Sequence, residues 1–129
     1  MSKFPTDLRY TKDHEWARID GKRAVVGITD FAVHQLGDIT QVDLPKEGES
    51  FRREQVIGTI ESVKAVSDIY SPLSGKVVKS NDPLRDQPEL LNEDCYDEGW
   101  MVELELSSLD ELSQLMTSEE YAKYVKDHS

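Results

Sequence analysis

The sequence predicts a compact β sandwich or barrel with a helical cover at its carboxyl end. Turn signals separate roughly seven or eight short strand-like segments along most of the chain. After residue 107 the apolar residues change to helical spacing, which is typical of helices packed on a sheet. The clearest strand has the two-residue period of a half-buried strand, with Trp100, Val102, Leu104 and Leu106 on one face and Met101, Glu103 and Glu105 on the other.

The first half of the chain supplies several of these strands. Asp20-Gly21 is a two-residue hairpin signal between two β-rich segments. Residues 54–80 have the pattern of two matched strands around a central turn, which Pro72 and Gly75 follow. The segments predicted as strands are residues 14–19, 23–28, 40–44, 55–60 and 100–106.

Helices are predicted at two places. A short internal helix is expected over Asp30–Leu36, with Thr29 or Asp30 as its N-cap and Gly37 at its end. A C-terminal helical segment is expected over about residues 108–127, and two capping boxes predict where its helices begin. The paired residues are Ser108 with Glu111 and Thr117 with Glu120.

Composition indicates one acidic domain over residues 1–129. The chain has 26 acidic and 15 basic side chains, a net charge of −11, and 37% hydrophobic residues. This balance disfavours binding to nucleic acid or to anionic membranes, because both need clustered Lys and Arg. Cys95 is the single cysteine, so neither an intrachain disulfide nor a thiolate metal cluster is expected.

The amino-terminal run MSKFPTDLRYTKDHEW has no apolar stretch and carries Asp7, Asp13 and Glu15. It is therefore unlike a secretory signal or an Arg-rich transit peptide. Nowhere does the sequence approach the length of an apolar membrane span. The bacterial cytoplasm is the predicted compartment.

Enzyme signatures are absent from the sequence. It has no phosphate-binding glycine loop, no GxSxG elbow and no HExxH motif. The histidines, His14, His34 and His128, lie far apart, so no metal site is predicted. Acidic neighbours disfavour a thiolate at Cys95, so no catalytic nucleophile is predicted there.

An acidic run covers residues 82–98, which carry seven acidic side chains and one arginine, a net charge of −6. The ordinary interpretation of such a run is a solvated loop. The more specific alternative is a surface that binds other proteins. The sequence alone leaves both open.

Lys64 is the one candidate for chemistry. It is the only basic residue between Arg53 and Lys76, and two β-type segments flank it. A lysine on a turn is ordinarily a solubilising charge. Here its neighbours are small or apolar, and a stiff hairpin would hold its amine clear of the surface. That setting suits covalent attachment of a long prosthetic arm.

The residues around Lys64 carry a family resemblance. The run Glu61-Ser62-Val63-Lys64-Ala65, with Ser67-Asp68-Ile69-Tyr70-Ser71-Pro72 and Gly75 after it, resembles the glycine cleavage H protein family of lipoyl carriers. Biotin carriers typically place their lysine between methionines, and lipoyl domains of 2-oxoacid dehydrogenases usually have Asp-Lys at the tip. The resemblance covers nearly the whole chain, through Tyr10, His14-Glu15-Trp16, Val26-Gly27-Ile28-Thr29-Asp30, Leu36-Gly37-Asp38, Val42-Asp43-Leu44-Pro45, Asn81-Asp82, Leu91-Asn92, Tyr96 and Gly99-Trp100.

The resemblance implies a mainly β barrel-sandwich hybrid, the lipoyl/biotinyl-carrier type, of two small antiparallel sheets with a short internal helix and C-terminal helices. It also implies lipoic acid attached to the side-chain nitrogen of Lys64, at a hairpin tip. The protein would be a carrier and not an enzyme, because the cofactor supplies the chemistry. A monomer is expected, since the arm needs an unobstructed hairpin.

The implied partners are the enzymes of glycine cleavage. A pyridoxal-phosphate glycine decarboxylase would load the aminomethyl group derived from glycine. A tetrahydrofolate-dependent aminomethyltransferase would remove it, and dihydrolipoyl dehydrogenase would reoxidise the arm. A lipoylating enzyme would first modify Lys64.

Residue roles follow from the same resemblance. Glu61, Ser62, Val63, Ala65 and Asp68 are candidates for recognition by the lipoylating enzyme or the partners. Glu15 and Asp68 are candidates for contact with the loaded arm, because a carboxylate attracts a protonated amine. Both are alternatively ordinary surface charges.

Two further hypotheses remain. An H-like protein that relays lipoyl groups to other proteins would have the same lysine motif. A structural or regulatory β domain would leave Lys64 unmodified. The chain departs from the family pattern at Cys95, where proline is common, and at Asp30-Phe31-Ala32-Val33. Those departures concern local loops and the cleft more than the lysine motif.

Overall fold

A computed structural model describes residues 4–128, without the side chain of His128. Most of the regular structure is β. In chain order the elements are β1 (Arg9–Tyr10), β2 (Glu15–Asp20), β3 (Arg23–Ile28), α1 (Asp30–Leu36), β4 (Ile39–Asp43), β5 (Ser50–Phe51), β6 (Val56–Ser62), β7 (Val66–Tyr70), β8 (Gly75–Ser80), α2 (Pro83–Asp86), α3 (Leu90–Asp94), β9 (Val102–Leu106), a 3-10 helix (Leu109–Gln114) and α4 (Ser118–His128).

The strands form two antiparallel sheets, as predicted. The larger sheet has the order β1-β2-β3-β9-β8-β5, and the smaller one has the order β4-β6-β7. The hairpin signal at Asp20-Gly21 joins β2 to β3, with Asp20 paired to Arg23. No helix among residues 4–128 is long and apolar enough to cross a membrane.

The core lies between the sheets and contains mostly aliphatic side chains. In β9 the side chains of Val102, Leu104 and Leu106 are buried, which confirms the alternation predicted for that strand. Met101 was expected on the opposite, polar face but is also buried. The strand begins only at Val102, so the two-residue period does not extend back to Met101.

Helix α1 occupies the predicted residues because all its boundary signals are local. The hydroxyl of Thr29 accepts a hydrogen bond from Ala32 N at 3.3 Å, as an N-cap does. Gly37 ends the helix with a φ of 79° and donates its N–H to Val33 O at 2.9 Å. A left-handed residue at this place favours glycine.

The acidic run 82–98 is solvated but is not a plain loop, because it contains the short helices α2 and α3. Leu84 and Leu91 are fully buried, and Cys95 is also buried, while most acidic side chains face outward. The Asn81 amide closes the segment by donating to the carbonyls of Glu98 and Trp100, at 2.8 and 2.7 Å. The buried apolar side chains anchor the segment to the core.

The two capping boxes have different outcomes. Thr117 and Glu120 form theirs, with Thr117 N donating to Glu120 Oε1 at 2.8 Å and Glu120 N donating to Thr117 Oγ1 at 3.2 Å. The box at Ser108 is wrong: Ser108 precedes a 3-10 helix and its side chain makes no capping bond. Glu111 instead accepts hydrogen bonds from the N–H and hydroxyl of Ser74, at 2.6 and 2.7 Å.

Candidate functional site

Lys64 lies at the tip of the hairpin that joins β6 to β7. Its side chain is exposed, and no hydrogen bond or ion pair involves its ammonium group among residues 4–128. The neighbouring apolar side chains also face solvent, with Val63 70% and Val66 68% exposed. Ala65 is exposed as well. The tip is therefore slender and offers the lysine amine to another molecule.

Ser62 holds the turn in place of the glycine that a tight turn usually needs. Its hydroxyl oxygen accepts hydrogen bonds from Ala65 N at 3.1 Å and from Lys64 N at 3.4 Å. Its own N–H donates to Ala65 O at 2.8 Å. Serine hydroxyls commonly stabilise turns through such backbone bonds. The backbone at Lys64 is thus fixed although the side chain is exposed.

The tip also contacts the turn between α1 and β4. Val63 N donates to Asp38 O at 3.1 Å. The lysine side chain passes over Gly37, where an added Cβ would lie 3.5 Å from Lys64 Cε. The hairpin is therefore attached on one side and does not project freely.

A cleft of about 450 Å³ lies between α1 and α3 and borders the same turn. Val33, Leu91 and Cys95 supply its apolar part, while Asp30, Asp38 and Glu93 contribute carboxylates. Burial, with a smaller effect of Asp30, raises the pKa of the Cys95 thiol to about 12. A raised pKa disfavours the thiolate form of Cys95.

Glu15 is buried, only 1% exposed, so the surface-charge alternative is wrong for this residue. Its carboxyl accepts hydrogen bonds from Thr11 Oγ1 at 2.6 Å and from Tyr70 N at 3.4 Å. Burial raises the pKa of Glu15 to about 8, and the hydrogen bond from Thr11 only partly offsets this. Burial therefore favours the neutral form of this carboxyl.

Asp68 lies on β7, and Glu15, on β2, contacts the same strand away from the lysine. Side chains of a strand alternate, so Asp68 shares a face of β7 with Val66 and Tyr70. Asp68 is exposed and lies four residues beyond Lys64, in the middle of β7. Glu15 meets β7 at Tyr70, the end away from the tip. Along β7, Asp68 is therefore nearer to the tip than the contact of Glu15 is.

Glu61 lies near the tip within the smaller sheet, paired with Gln41 on one side and Val66 on the other. Its backbone carbonyl accepts a hydrogen bond from Thr40 Oγ1 at 3.2 Å. Glu61 is half-buried. It lies three residues before Lys64 in the chain, next to Ser62.

The hydroxyl of Tyr121 links α4 to the residues that precede β2 and α1, a contact that the sequence did not predict. The hydroxyl of the buried Tyr121 lies 2.7 Å from His14 Nδ1 and 2.8 Å from Thr29 Oγ1. His14 has a φ of 70°, and burial lowers the pKa of its imidazole.

Among the described residues no group of three His, Cys, Asp or Glu side chains is arranged to hold a metal ion.

The two sheets and the exposed lysine hairpin define a barrel-sandwich domain of the lipoyl-carrier type. Residues 8–128 match the family model described as "Glycine cleavage H-protein". The chain belongs to this family, which confirms both the resemblance and the predicted fold class. Members of this family are carrier proteins.

Individual relatives agree with this assignment. The glycine cleavage system H protein of Anaeromyxobacter sp. (strain K) is 50% identical over 97% of this chain and 98% of its own length. That of Herpetosiphon aurantiacus is 49% identical over 100% of this chain and 98% of its own. The crystal structure of a glycine cleavage system H protein from Mycobacterium marinum, 36% identical, superposes with a TM-score of 0.88 and covers 95% of this chain and 99% of that one.

Proposed function

We propose that this chain is the lipoylated shuttle protein of a glycine cleavage system, with lipoic acid attached through an amide to Lys64. The observation that carries the proposal is the exposed lysine at a hairpin tip whose backbone is held by Ser62. Family membership supplies the biochemical setting. The site fits the group because nothing among the described residues covers the amine.

When bound, the lipoyl group supplies a dithiolane that carries the aminomethyl group derived from glycine between enzymes. The partners in this proposal are the pyridoxal-phosphate glycine decarboxylase, the tetrahydrofolate-dependent aminomethyltransferase, dihydrolipoyl dehydrogenase and the lipoylating enzyme. The chain itself is a substrate of these enzymes and not a catalyst. Its relatives come from bacteria, and we place it in the bacterial cytoplasm as a monomer.

The hairpin residues present the lysine to enzymes that must enclose it. Val63 and Ala65 keep the flanks small, so an active site can approach Lys64 closely. The bonds of Ser62 hold the turn before a partner arrives. A preorganised turn lowers the conformational entropy lost on binding. Glu61, three residues before Lys64, and Asp68, farther along β7, add negative charge that a partner can recognise.

Glu15 and Asp68 hold the cationic amine of the cargo in this proposal. Asp68, exposed on β7, offers a carboxylate at the surface. Glu15 is buried, which favours its neutral form, so a cation that reaches it stabilises the ionised form and promotes release of the carboxyl proton. The hydrogen bonds from Thr11 and Tyr70 then stabilise the carboxylate.

The attachment is tested by intact mass and peptide mapping after growth with lipoate. We expect one lipoyl amide on the peptide that contains Lys64. Lys64→Arg keeps the charge and removes the acylatable amine, so it should abolish the mass increment without disturbing the fold. Lys46→Arg, at another exposed lysine in a turn, is the matched control and should be modified normally. An unmodified Lys64 peptide under these conditions would refute the proposal.

A further inference from the structure

The side chain of Asn92 links α3 to the turn beside Lys64. Ile39 N donates to Asn92 Oδ1 at 3.0 Å, and Asn92 Nδ2 donates to Gly37 O at 2.8 Å. The two bonds lie on either side of Asp38. A carboxamide suits this place, because one side chain supplies both an acceptor and a donor. Asn92 therefore pairs with the turn much as a neighbouring strand would.

The same turn contacts the lysine hairpin. Asp38, between the two residues that Asn92 binds, accepts the N–H of Val63 through its carbonyl at 3.1 Å. Gly37, whose carbonyl Asn92 binds, lies under the Lys64 side chain. A change in the turn backbone would therefore be passed directly to the tip.

Asn92 is itself mounted on a fixed element. Leu91, next in the chain, is fully buried in the core. At the end of α3, Cys95 O accepts a hydrogen bond from the indole Nε1 of the buried Trp16 at 3.0 Å. The helix is thus held by the core of the larger sheet, although the Asn92 side chain lies at the surface.

We propose that Asn92 is a positioning residue for Lys64: it anchors the Gly37–Ile39 turn, and that turn holds the lysine hairpin in the orientation that the lipoylating enzyme and the cleavage enzymes bind. Only the second part of the inference, the orientation of the hairpin for the enzymes, rests on the proposed function. The anchoring itself concerns the unmodified chain and is measurable without any cofactor.

The test uses the full-length chain carrying Asn92→Ala, with Glu93→Ala as the matched control. Glu93 is the adjacent exposed residue on α3 and also lines the cleft, but its side chain makes no hydrogen bond among the described residues. Amide hydrogen exchange of Val63 and Ile39 is measured by NMR in the unmodified proteins. Asn92→Ala should speed exchange at both amides by about threefold to tenfold, the effect of losing one or two exposed hydrogen bonds. Glu93→Ala should leave both rates within error of the wild type.

Lipoylation kinetics test the second half with a lipoylating enzyme and the same proteins. A mobile tip must be ordered in both the ground-state complex and the transition state, so Asn92→Ala should raise KM about threefold to tenfold and leave kcat nearly unchanged. Asn92→Asp retains the acceptor for Ile39 N and loses the donor to Gly37 O. Because a carboxylate oxygen then faces the Gly37 carbonyl oxygen, this variant should also speed exchange at Val63 and raise KM, and it replaces the alanine variant if that one does not fold.

Unchanged Val63 exchange in the variants would overturn the inference, as would faster exchange with unchanged lipoylation kinetics. A wild-type chain that is never lipoylated would refute the proposed function instead. In that case the exchange rates still decide whether Asn92 holds the tip.

Discussion

The hydroxyl of Ser62 accepts the N–H of Ala65 at 3.1 Å and so closes the turn that carries Lys64. The turn has no glycine, and the described residues with a left-handed backbone other than glycine are His14 and Glu54, both outside this hairpin. In this turn a side-chain hydroxyl provides the stabilisation that many tight turns obtain from a glycine in a left-handed conformation. The lysine is consequently presented by a rigid base on an exposed tip.

Removal of this hydroxyl should loosen the tip. Ser62→Ala loses the bonds to Lys64 N and Ala65 N, and we expect the free energy of unfolding to fall by about 1 kcal/mol. Lipoylation should slow severalfold through a higher KM. Ser67→Ala is the control, because within residues 4–128 the Ser67 hydroxyl makes a single hydrogen bond, to the adjacent Asp68 carbonyl at 3.4 Å. Equal lipoylation of the two variants would argue against a preorganised turn.

Glu15 should make stability depend on pH. Its pKa in the folded protein is about 8, above the ordinary value of 4.5, so the folded state binds more protons than the unfolded state between these values. The free energy of unfolding therefore decreases as pH rises through this range and no longer changes from this source below about pH 4.5. Glu15→Gln removes the titration. Between pH 5 and 8, we expect the wild type to lose of the order of a few kcal/mol relative to the variant.

Urea unfolding of both proteins at several pH values measures this difference. His14, whose pKa is lowered by burial, gives the opposite trend near its ordinary value, but it is present in both proteins and largely cancels. Parallel stability curves for wild type and Glu15→Gln would show that the buried carboxyl ionises normally.

Substitutions at Glu111 and at Ser108 should have unequal effects on stability, because Glu111 hydrogen-bonds to Ser74 whereas the Ser108 side chain makes no capping bond. Glu111→Ala removes the acceptor for the N–H and hydroxyl of Ser74, so we expect a loss of about 1–3 kcal/mol in chemical denaturation. Ser108→Ala removes no capping bond and should change stability by less than about 0.5 kcal/mol. The reverse order of effects would support the capping box that the sequence predicted.

Tyr121 should stabilise the fold through its hydroxyl as well as its ring. Tyr121→Phe retains the stacking on Tyr10, whose ring centroid lies 4.8 Å away, but leaves His14 Nδ1 and Thr29 Oγ1 without this partner. We expect thermal or urea unfolding to show a loss of about 1–3 kcal/mol. Tyr70→Phe, whose hydroxyl has no hydrogen bond among the described residues, is the control. A neutral Tyr121→Phe would mean that water replaces the lost hydroxyl.

Local signals account for the parts of the fold that the sequence predicted well. The boundaries of α1 are set by Thr29 and Gly37, both adjacent to the helix, and the β2–β3 hairpin is set by Asp20-Gly21. The capping box at Ser108 failed because Glu111 bonds to Ser74, which is 37 residues away. A short sequence pattern does not reveal a competing tertiary partner.

The candidate site likewise contains some residues that local sequence predicts and others that depend on tertiary contacts. Lys64 is identified by its own hairpin and motif, and Ser62 lies two residues before it in the same motif. The contacts of Asn92 span 53 and 55 residues, so spacing along the chain carries no sign of them. The burial of Glu15 likewise depends on β7, through Tyr70. These relationships arise only once the two sheets and α3 are packed together.

Glycine–CO2 exchange with the pyridoxal-phosphate decarboxylase tests the central claim most directly. Lipoylated wild-type protein should support exchange, while the unmodified chain and Lys64→Arg should give only the background rate of the decarboxylase. This result would also separate a glycine cleavage carrier from a protein that only relays lipoyl groups. Inactive lipoylated wild type, or Lys64→Arg as active as the lipoylated wild type, would contradict the assignment.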